Sequence, residues 1–296
     1  MKQPAAPLKI LVIGKTGQVA IELQKHLTGL GELIVLGRDT LDLNQPAQIR
    51  AQVRAHTPDL IINAAAHTAV DLAESEPALA YAINGTAPGV LAEEAGALGI
   101  PLIHYSTDYV FDGTQTAPYT ENDTPNPLGV YGKSKWMGER AITATGAQHL
   151  ILRTSWVYST HGKNFLLTLQ RLLQQRPEVR VVADQIGAPT WAGTLAQSTR
   201  ALIERWHAGE AGAWGTYHLT ARGETSWFGF AQAIAEDLIA QGKPCATLEA
   251  IPTRAYPTPA PRPLNSRLDC GRLEREWHII LPDWRRALSE CLIEQD

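Results

Sequence analysis

The feature that most constrains this chain is the alternation of strand-like and helix-like segments in its first 155 residues. Apolar runs at 8–13, 33–36, 60–64, 101–105 and 150–154 are too short to be domain helices, and their unbroken apolar character suits strands buried on both faces. Helical periodicity fills the gaps: 19–27, ended by Gly29 to Gly31; a segment running to His56, with Asn44 as its expected cap and Pro46 in its first turn; and a long helix over 77–98. Strands separated by helices of this length need right-handed crossovers. The fold class is therefore α/β, a Rossmann-type doubly wound parallel sheet.

Beyond Trp156 the pattern loosens. Helices are expected near 164–175, 193–208 and 227–241, and a last one from about Pro282. Residues 251–263 carry five prolines, which lack donors and clash with a preceding helical turn. That stretch reads as an ordered loop lining a site, with helix-forming sequence resuming after Leu268. The expected division is a dinucleotide-binding domain over 1–158, with a return segment near 188–220, and a smaller α/β substrate-binding domain formed mainly by 159–296. A length of 296 residues fits one large or two modest domains.

Composition narrows the function. A net charge of -4 offers no cationic field for nucleic-acid phosphates, so no nucleic-acid partner is expected. No run approaches the roughly 18 apolar residues of a spanning helix, so no membrane partner is expected either. The opening seven residues lack the apolar segment of an export signal. Three cysteines without a CxxC pair argue against a disulfide frame or zinc site and fit a cytoplasmic setting. On that basis the glycosylation-like triplets Asn84-Gly-Thr86 and Asn122-Asp-Thr124 read as chance.

Gly14-Lys-Thr-Gly17-Gln-Val-Ala20 joins the first strand to the first helix. Small residues there let the backbone turn tightly and bring a pyrophosphate to the helix N-terminus, where free N–H groups and the dipole favour anions. Gly-Lys-Thr is not a P-loop here, because the strand before it holds no glycine. The second strand ends Leu36-Gly-Arg38-Asp39. An acidic residue directly at that end would hold a ribose 2′-hydroxyl and repel a 2′-phosphate. Arg38 instead suits a 2′-phosphate, which points to NADPH, with NADH possible because Asp39 follows.

Tyr131 and Lys135 stand at i and i+4, on one face of a helix. A phenol titrates near about 10, and a general acid works best near the operating pH. A fixed ammonium beside it is expected to lower that value; about three units corresponds to roughly 4 kcal/mol. The fourth strand ends in Ser106 and Thr107, either of which can hydrogen-bond a substrate carbonyl oxygen. Trp156, at the end of the fifth strand, is placed to wall the same pocket. His67, His104 and His149 read as satisfied groups near the core.

With these residues in view, the chain resembles the extended short-chain dehydrogenase/reductases and, among them, the dTDP-4-dehydrorhamnose reductase family. The resemblance is carried by Gly14-Lys-Thr-Gly-Gln-Val19, Asn63-Ala-Ala-Ala-His-Thr-Ala-Val-Asp71, Tyr105-Ser-Thr-Asp-Tyr-Val-Phe111, Tyr131-Gly-Lys-Ser-Lys135, Arg153-Thr-Ser-Trp-Val-Tyr158, Asp184-Gln-Ile-Gly-Ala-Pro-Thr190 and Arg262-Pro-Leu-Asn-Ser-Arg-Leu268, in order along nearly the whole chain. It implies NADPH-dependent reduction of the C4 keto group of dTDP-4-dehydro-L-rhamnose to dTDP-L-rhamnose by a homodimer. It implies Tyr131 as proton donor, Lys135 as the group that tunes it and holds the nicotinamide ribose, and Thr107 rather than Ser106 as the catalytic hydroxyl. It places Gly17, Gln18 and Val19, next to Gly14, at the cofactor phosphates, Asp42 and Leu43 by the adenine, and Ala66, His67 and Thr68 along the cofactor. Thr107, Asp108 and Trp156 face the sugar, and Arg262, Asn265 and Ser266 belong to the substrate side.

Two positions depart from or extend the pattern. Ala20 stands where the family usually has its third glycine. Glu22 aligns with a carboxylate that some members place at a magnesium-linked dimer contact; magnesium is left open and no metal ligand is assigned. Two rival readings accompany the reductase: a sugar-nucleotide epimerase or dehydratase of the same superfamily, and a non-catalytic module resembling the regulatory subunit of methionine adenosyltransferase.

Overall fold

The leading apolar run becomes β1 (Leu8–Ile13), whose side chains, apart from a half-buried Lys9, lie in the interior. The computed structural model describes residues 7–295; the opening six, part of the stretch read as lacking an export signal, lie outside the described residues. From β1 the chain runs through α1 (Gln18–His26), β2 (Gly31–Leu36), α2 (Pro46–His56), β3 (Leu60–Asn63), α3 (Val70–Ser75), α4 (Pro77–Tyr81), a π-helical turn (Ala82–Thr86), α5 (Ala87–Leu98) and β4 (Leu102–Thr107). It continues through α6 (Val130–Ala144), β5 (His149–Thr154), β6 (Val157–Tyr158), α7 (Phe165–Gln175), β7 (Glu178–Val182), β8 (Ile186–Gly187), β9 (Thr190–Trp191), α8 (Ala192–His207) and β10 (Gly215–His218). The last elements are β11 (Thr225–Ser226), α9 (Trp227–Ala240), β12 (Thr247–Ile251), α10 (Gly271–Trp277) and α11 (Trp284–Ile293).

The main sheet has six strands in the order β10-β5-β4-β3-β1-β2, and all its pairs are parallel. The order reverses between β1 and β3, so the carboxyl ends of the central strands open a crevice, the place where such sheets bind ligands. One apolar layer, with Val12, Leu23, Leu152, Tyr217 and Trp277, lies on one face; another, with Leu11, Val53, Leu91 and Ile142, lies on the other. The later elements build a separate apolar cluster around Leu169, Phe230, Trp284 and Leu288, flanked by the parallel pair β7 and β12.

Three expectations need correction. Asn44 does not cap α2: Gln45 holds that position without a side-chain cap, and the Asn44 N–H donates to Asp42 Oδ1 (2.9 Å). The helix expected over 77–98 is not continuous. Pro88 has no N–H to donate to the Asn84 carbonyl, and its ring would crowd it in a regular helix, so the chain takes a π turn there before α5 begins. Short strands from β6 to β12 escaped the reading. β12 alternates too weakly, with three of its five residues exposed, and β10 is only Gly-Thr-Tyr-His.

At two of its glycines helix α6 packs directly against backbone. A Cβ on Gly132 would collide with the Tyr109 carbonyl oxygen, and one on Gly138 with the Asn84 carbonyl oxygen. Neither backbone can be displaced cheaply, because Tyr109 lies in the tight turn after β4 and Asn84 in the π turn. Gly132→Ala is therefore expected to lower unfolding free energy by about 1–3 kcal/mol in urea titrations and to reduce activity with it; unchanged stability would show that α6 can stand away from the sheet.

Candidate active site

Strand alternation at the end of β4 separates its two hydroxyls. Ser106 donates to Glu139 on α6, which is also bound by Arg153 of β5 through Nε (3.0 Å) and Nη2 (2.6 Å). Both members of this pair are buried, and the guanidinium lies over the Phe111 ring at 5.1 Å. Ser106 is thus committed to an interior network. Thr107 lies at the crevice end: it donates to Asp108 Oδ1 (3.0 Å) and accepts from the Tyr109 N–H (3.1 Å), and it stands close enough to Tyr131 to favour the ionised phenol. The structure brings Thr107, Asp108 and Tyr131 together.

The electrostatics differ from expectation. Lys135 does not depress Tyr131; burial pushes that phenol up to about 12, with the Thr107 hydroxyl opposing. Lys135 is itself buried, donates to the Tyr105 carbonyl (2.6 Å) and lies 3.1 Å from His104 Nε2. Desolvation pushes its ammonium down to about 8, against the pull of Glu139. Burial also raises the Asp108 carboxyl to about 6, offset by the Ser266 and Thr107 hydroxyls. A phenol held neutral is what a proton donor needs.

The glycine turn fits a dinucleotide phosphate. Gly14 has φ +111°, a conformation that L side chains rarely adopt, and a Cβ there would press on the Ala64 carbonyl at about 3.1 Å. Gly17 caps α1 without any side-chain hydrogen bond, and no acidic residue occupies the first turn, so the Gln18 and Val19 N–H groups stay open to an anion. The Gln18 side chain turns away: its Oε1 accepts from Ser159 (3.2 Å) and Asn164 (2.9 Å). Arg38 and Asp42 are exposed, and Leu43 is buried in the apolar layer beside α2. Asp39 is occupied by Lys15 at 3.2 Å, while Arg38 has no ion-pair partner among the described residues. Ala66 and Thr68 line the loop after β3. His67 is satisfied at one ring nitrogen only: Nε2 lies 3.5 Å from Glu76 Oε2, while its buried Nδ1 has no partner among the described residues. His104 and His149 also hold hydrogen bonds.

Several participants carried no sequence signal of their own. Asn84, read as a chance triplet, is buried: its Oδ1 accepts from the His67 N–H (2.8 Å), and its Nδ2 donates to the His67 carbonyl and the Ser134 hydroxyl. It clasps the loop after β3 to α6. Glu74 accepts from the Val130 N–H (2.8 Å) at the start of that helix. A polar Asn inside an apolar helical run was the one hint available.

On the opposite wall Trp156 takes φ +49° and stacks on Trp227, centroids 3.7 Å apart. A Cβ on Gly187 would press into the Trp156 indole. Arg262 is paired with Asp71 (2.8 Å), Asn265 donates to the carbonyls of Gln115 and Ala117, and Ser266 lies beside Asp108. Arg262 and Asn265 thus hold the 251–263 loop and the 115–117 segment around the crevice, whereas Ser266 reaches Asp108.

A family model described as the RmlD substrate binding domain matches residues 8–296. A dTDP-4-dehydrorhamnose reductase of Burkholderia thailandensis is 47% identical over 292 residues, 96% of this chain and 98% of that one. The chain belongs to the dTDP-4-dehydrorhamnose reductase family. Among solved structures, the reductase of Clostridium acetobutylicum aligns with TM-score 0.90 at 36% identity, covering 97% of this chain and 99% of that one. The Bacillus anthracis dTDP-4-dehydrorhamnose reductase, solved in complex with NADP, aligns with TM-score 0.89 at 32% identity over the same shares.

Ala20, where the dTDP-4-dehydrorhamnose reductase family usually has glycine, is fully buried within an unbroken α1. Glu22 is buried and raised by desolvation, with His26 at 3.6 Å and His161 at 3.8 Å. No group of three or more metal-ligating side chains forms among the described residues, and none of their helices is long and apolar enough to cross a membrane.

Asp108 generates a pH prediction. Its folded value lies above that of the unfolded chain, so its contribution is present below about pH 4 and is lost as pH rises through about 6. Asp108→Asn is expected to be more stable than the parent at pH 7, by about 2–3 kcal/mol at most, and equal to it near pH 4. Paired denaturant titrations at the two pH values check this, and a constant difference would refute it.

Proposed function

We propose that this chain reduces the C4 keto group of dTDP-4-dehydro-L-rhamnose to dTDP-L-rhamnose with NADPH, using Tyr131, Lys135 and Thr107. The observation that carries the reading is the Thr107–Tyr131 contact at the carboxyl end of β4, beside a glycine turn shaped for a pyrophosphate. Family membership and the reductase names of its relatives support the substrate. When bound, the nicotinamide cofactor supplies the hydride. Gly14, Gly17 and the open N–H groups of Gln18 and Val19 hold its phosphates, Arg38 the 2′-phosphate, Asp42 and Leu43 the adenine side, and Ala66 to Thr68 its flank.

Tyr131 gives its proton to the C4 oxygen as the alkoxide develops, and Thr107 donates a hydrogen bond to that oxygen. Because burial holds the phenol neutral, the acid is ready throughout the physiological range. Lys135 aligns the cofactor ribose. Trp156 and Asp108 face the sugar, with Ser266 next to Asp108, while Arg262 and Asn265 fix the loops around it. We read residues 159–296 as mainly the substrate side, the segment 188–220 as the return to the sheet, and the active form as a cytoplasmic homodimer. Rival epimerase chemistry rests on shared fold alone. A purely regulatory role leaves the Thr107, Tyr131 and Lys135 set without a use.

Tyr131→Phe is expected to lower kcat by about 10²–10⁴ with NADPH affinity retained, followed as NADPH absorbance with the sugar nucleotide and as cofactor fluorescence. Turnover at the parent's rate would remove Tyr131 from its role, and absence of any NADPH oxidation by the parent would end the reductase reading. Arg38→Ala is expected to weaken NADPH binding by about tenfold and leave NADH unchanged, the loss of one charge-assisted phosphate contact; equal effects on both cofactors would refute that assignment.

A further inference from the structure

None of the steps above uses Gln185, which is buried at the start of β8, beside the Trp156 wall. Strands β8 and β11 are antiparallel, with Thr225 opposite Gly187 and Ser226 opposite Ile186. One step further along that register sets Trp227, the first residue of α9, opposite Gln185. The Trp227 Nε1–H donates to Gln185 Oε1 (3.2 Å). Gln185 Nε2 donates in turn to Thr253 Oγ1 (3.1 Å), and the Thr253 hydroxyl donates to Asp184 Oδ1 (2.6 Å). The Thr253 N–H donates to the same carboxylate oxygen (2.7 Å). The direction of this chain is fixed, because an indole nitrogen can only donate. Turning the Gln185 amide over would set its NH2 group against the Trp227 N–H, donor facing donor.

Trp156 needs support from outside its own backbone. Its φ of +49° lies in the left-handed region, which a bulky side chain rarely takes. Two neighbours meet its ring. Gly187, two residues beyond Gln185, leaves room for the indole by having no side chain. Trp227 stacks on it, 11° from parallel with centroids 3.7 Å apart, and Phe165 packs on Trp227 in turn at 4.6 Å. The Trp156 ring is thus held by β8 and by an indole that the glutamine preceding β8 anchors.

We propose that Gln185 is a positioning residue for the sugar pocket: it anchors the Trp227 indole on which Trp156 stacks, and through Thr253 it ties that wall to the 251–263 loop. The proposal rests on the reading of Trp156 as the wall that faces the sugar and deepens it. Among the described residues, the side-chain hydrogen bonds of Gln185 run to Trp227 and Thr253 and not to Thr107, Tyr131 or Lys135. Its effect therefore falls on binding of the sugar nucleotide rather than on the reacting atoms. The same loop is held to α3 by Asp71, which accepts from the Ala260 N–H (3.1 Å) and from Arg262 (2.8 Å). Loop and wall act as one unit: displacement of Thr253 releases the amide, and with it the indole pair.

The test is steady-state kinetics and far-ultraviolet circular dichroism of the whole protein. Stacked indoles give an exciton couplet, assigned here by its loss in Trp227→Phe. Gln185→Leu removes both hydrogen bonds at similar size. It is expected to weaken the couplet and to raise KM for the sugar nucleotide about fivefold, the loss of one hydrogen bond, with kcat and NADPH affinity kept. In a Trp227→Phe background the same change is expected to add nothing to KM, because the N–H that Gln185 receives is gone. Thr253→Val cuts the chain at its partly exposed end and is expected to raise KM in the same direction; it decides the matter if Gln185→Leu fails to fold. A parental KM in the folded variant, even with a lowered melting temperature, marks a merely structural glutamine and overturns the proposal. An undiminished Gln185→Leu effect in the Trp227→Phe background overturns it too. A parental KM in Trp156→Ala would remove the wall reading itself. Failure of the parent to oxidise NADPH would sink the functional reading, while the couplet would still decide whether Gln185 holds the indoles.

Discussion

The site depends on how closely α6 approaches the backbone beneath it. Gly132 and Gly138 let the helix rest on the carbonyl oxygens of Tyr109 and Asn84, with no layer of side chains between. Tyr131 and Lys135 sit on that helix, and Thr107 and Asp108 sit where β4 ends beside it. A helix displaced by one methyl would carry the phenol away from the threonine hydroxyl at the end of β4. The Glu139–Arg153 pair fixes the same helix further along, where Ser106 completes the carboxylate's partners.

That closeness also sets the charge states. Removing a group from water penalises its ionised form, so Tyr131 and Asp108 are raised and Lys135 is lowered, each with burial as the largest cause. The outcome suits reduction as proposed: a phenol held protonated at the end of β4, with a buried lysine one helical turn away. The strained Trp156, stacked on Trp227, closes the opposite wall with a rigid aromatic surface.

Much of this was legible in the sequence. The strand and helix alternation, the Gly14 turn and the Tyr131–Lys135 spacing rest on local rules, because side-chain period and backbone freedom are properties of a few neighbouring residues. The resemblance selected Thr107 over Ser106; in the structure Ser106 bonds Glu139 inside the protein while Thr107 stands at the end of β4, because adjacent strand residues face opposite ways. Asn84 and Glu74 went unseen because each acts through a partner far along the chain: Asn84 on Ser134, Glu74 on Val130.

The sequence by itself determined that a parallel sheet would form, where a tight glycine turn would join its first strand to the first helix, and which phenol, ammonium and hydroxyl were available. Only the tertiary structure decided how those groups titrate and which contacts hold them. Periodicity and turn chemistry are local, and a chain can be read for them residue by residue. Desolvation and hydrogen-bond orientation arise only when distant segments exclude water from the same small volume, as β3, β4 and α6 do around Lys135.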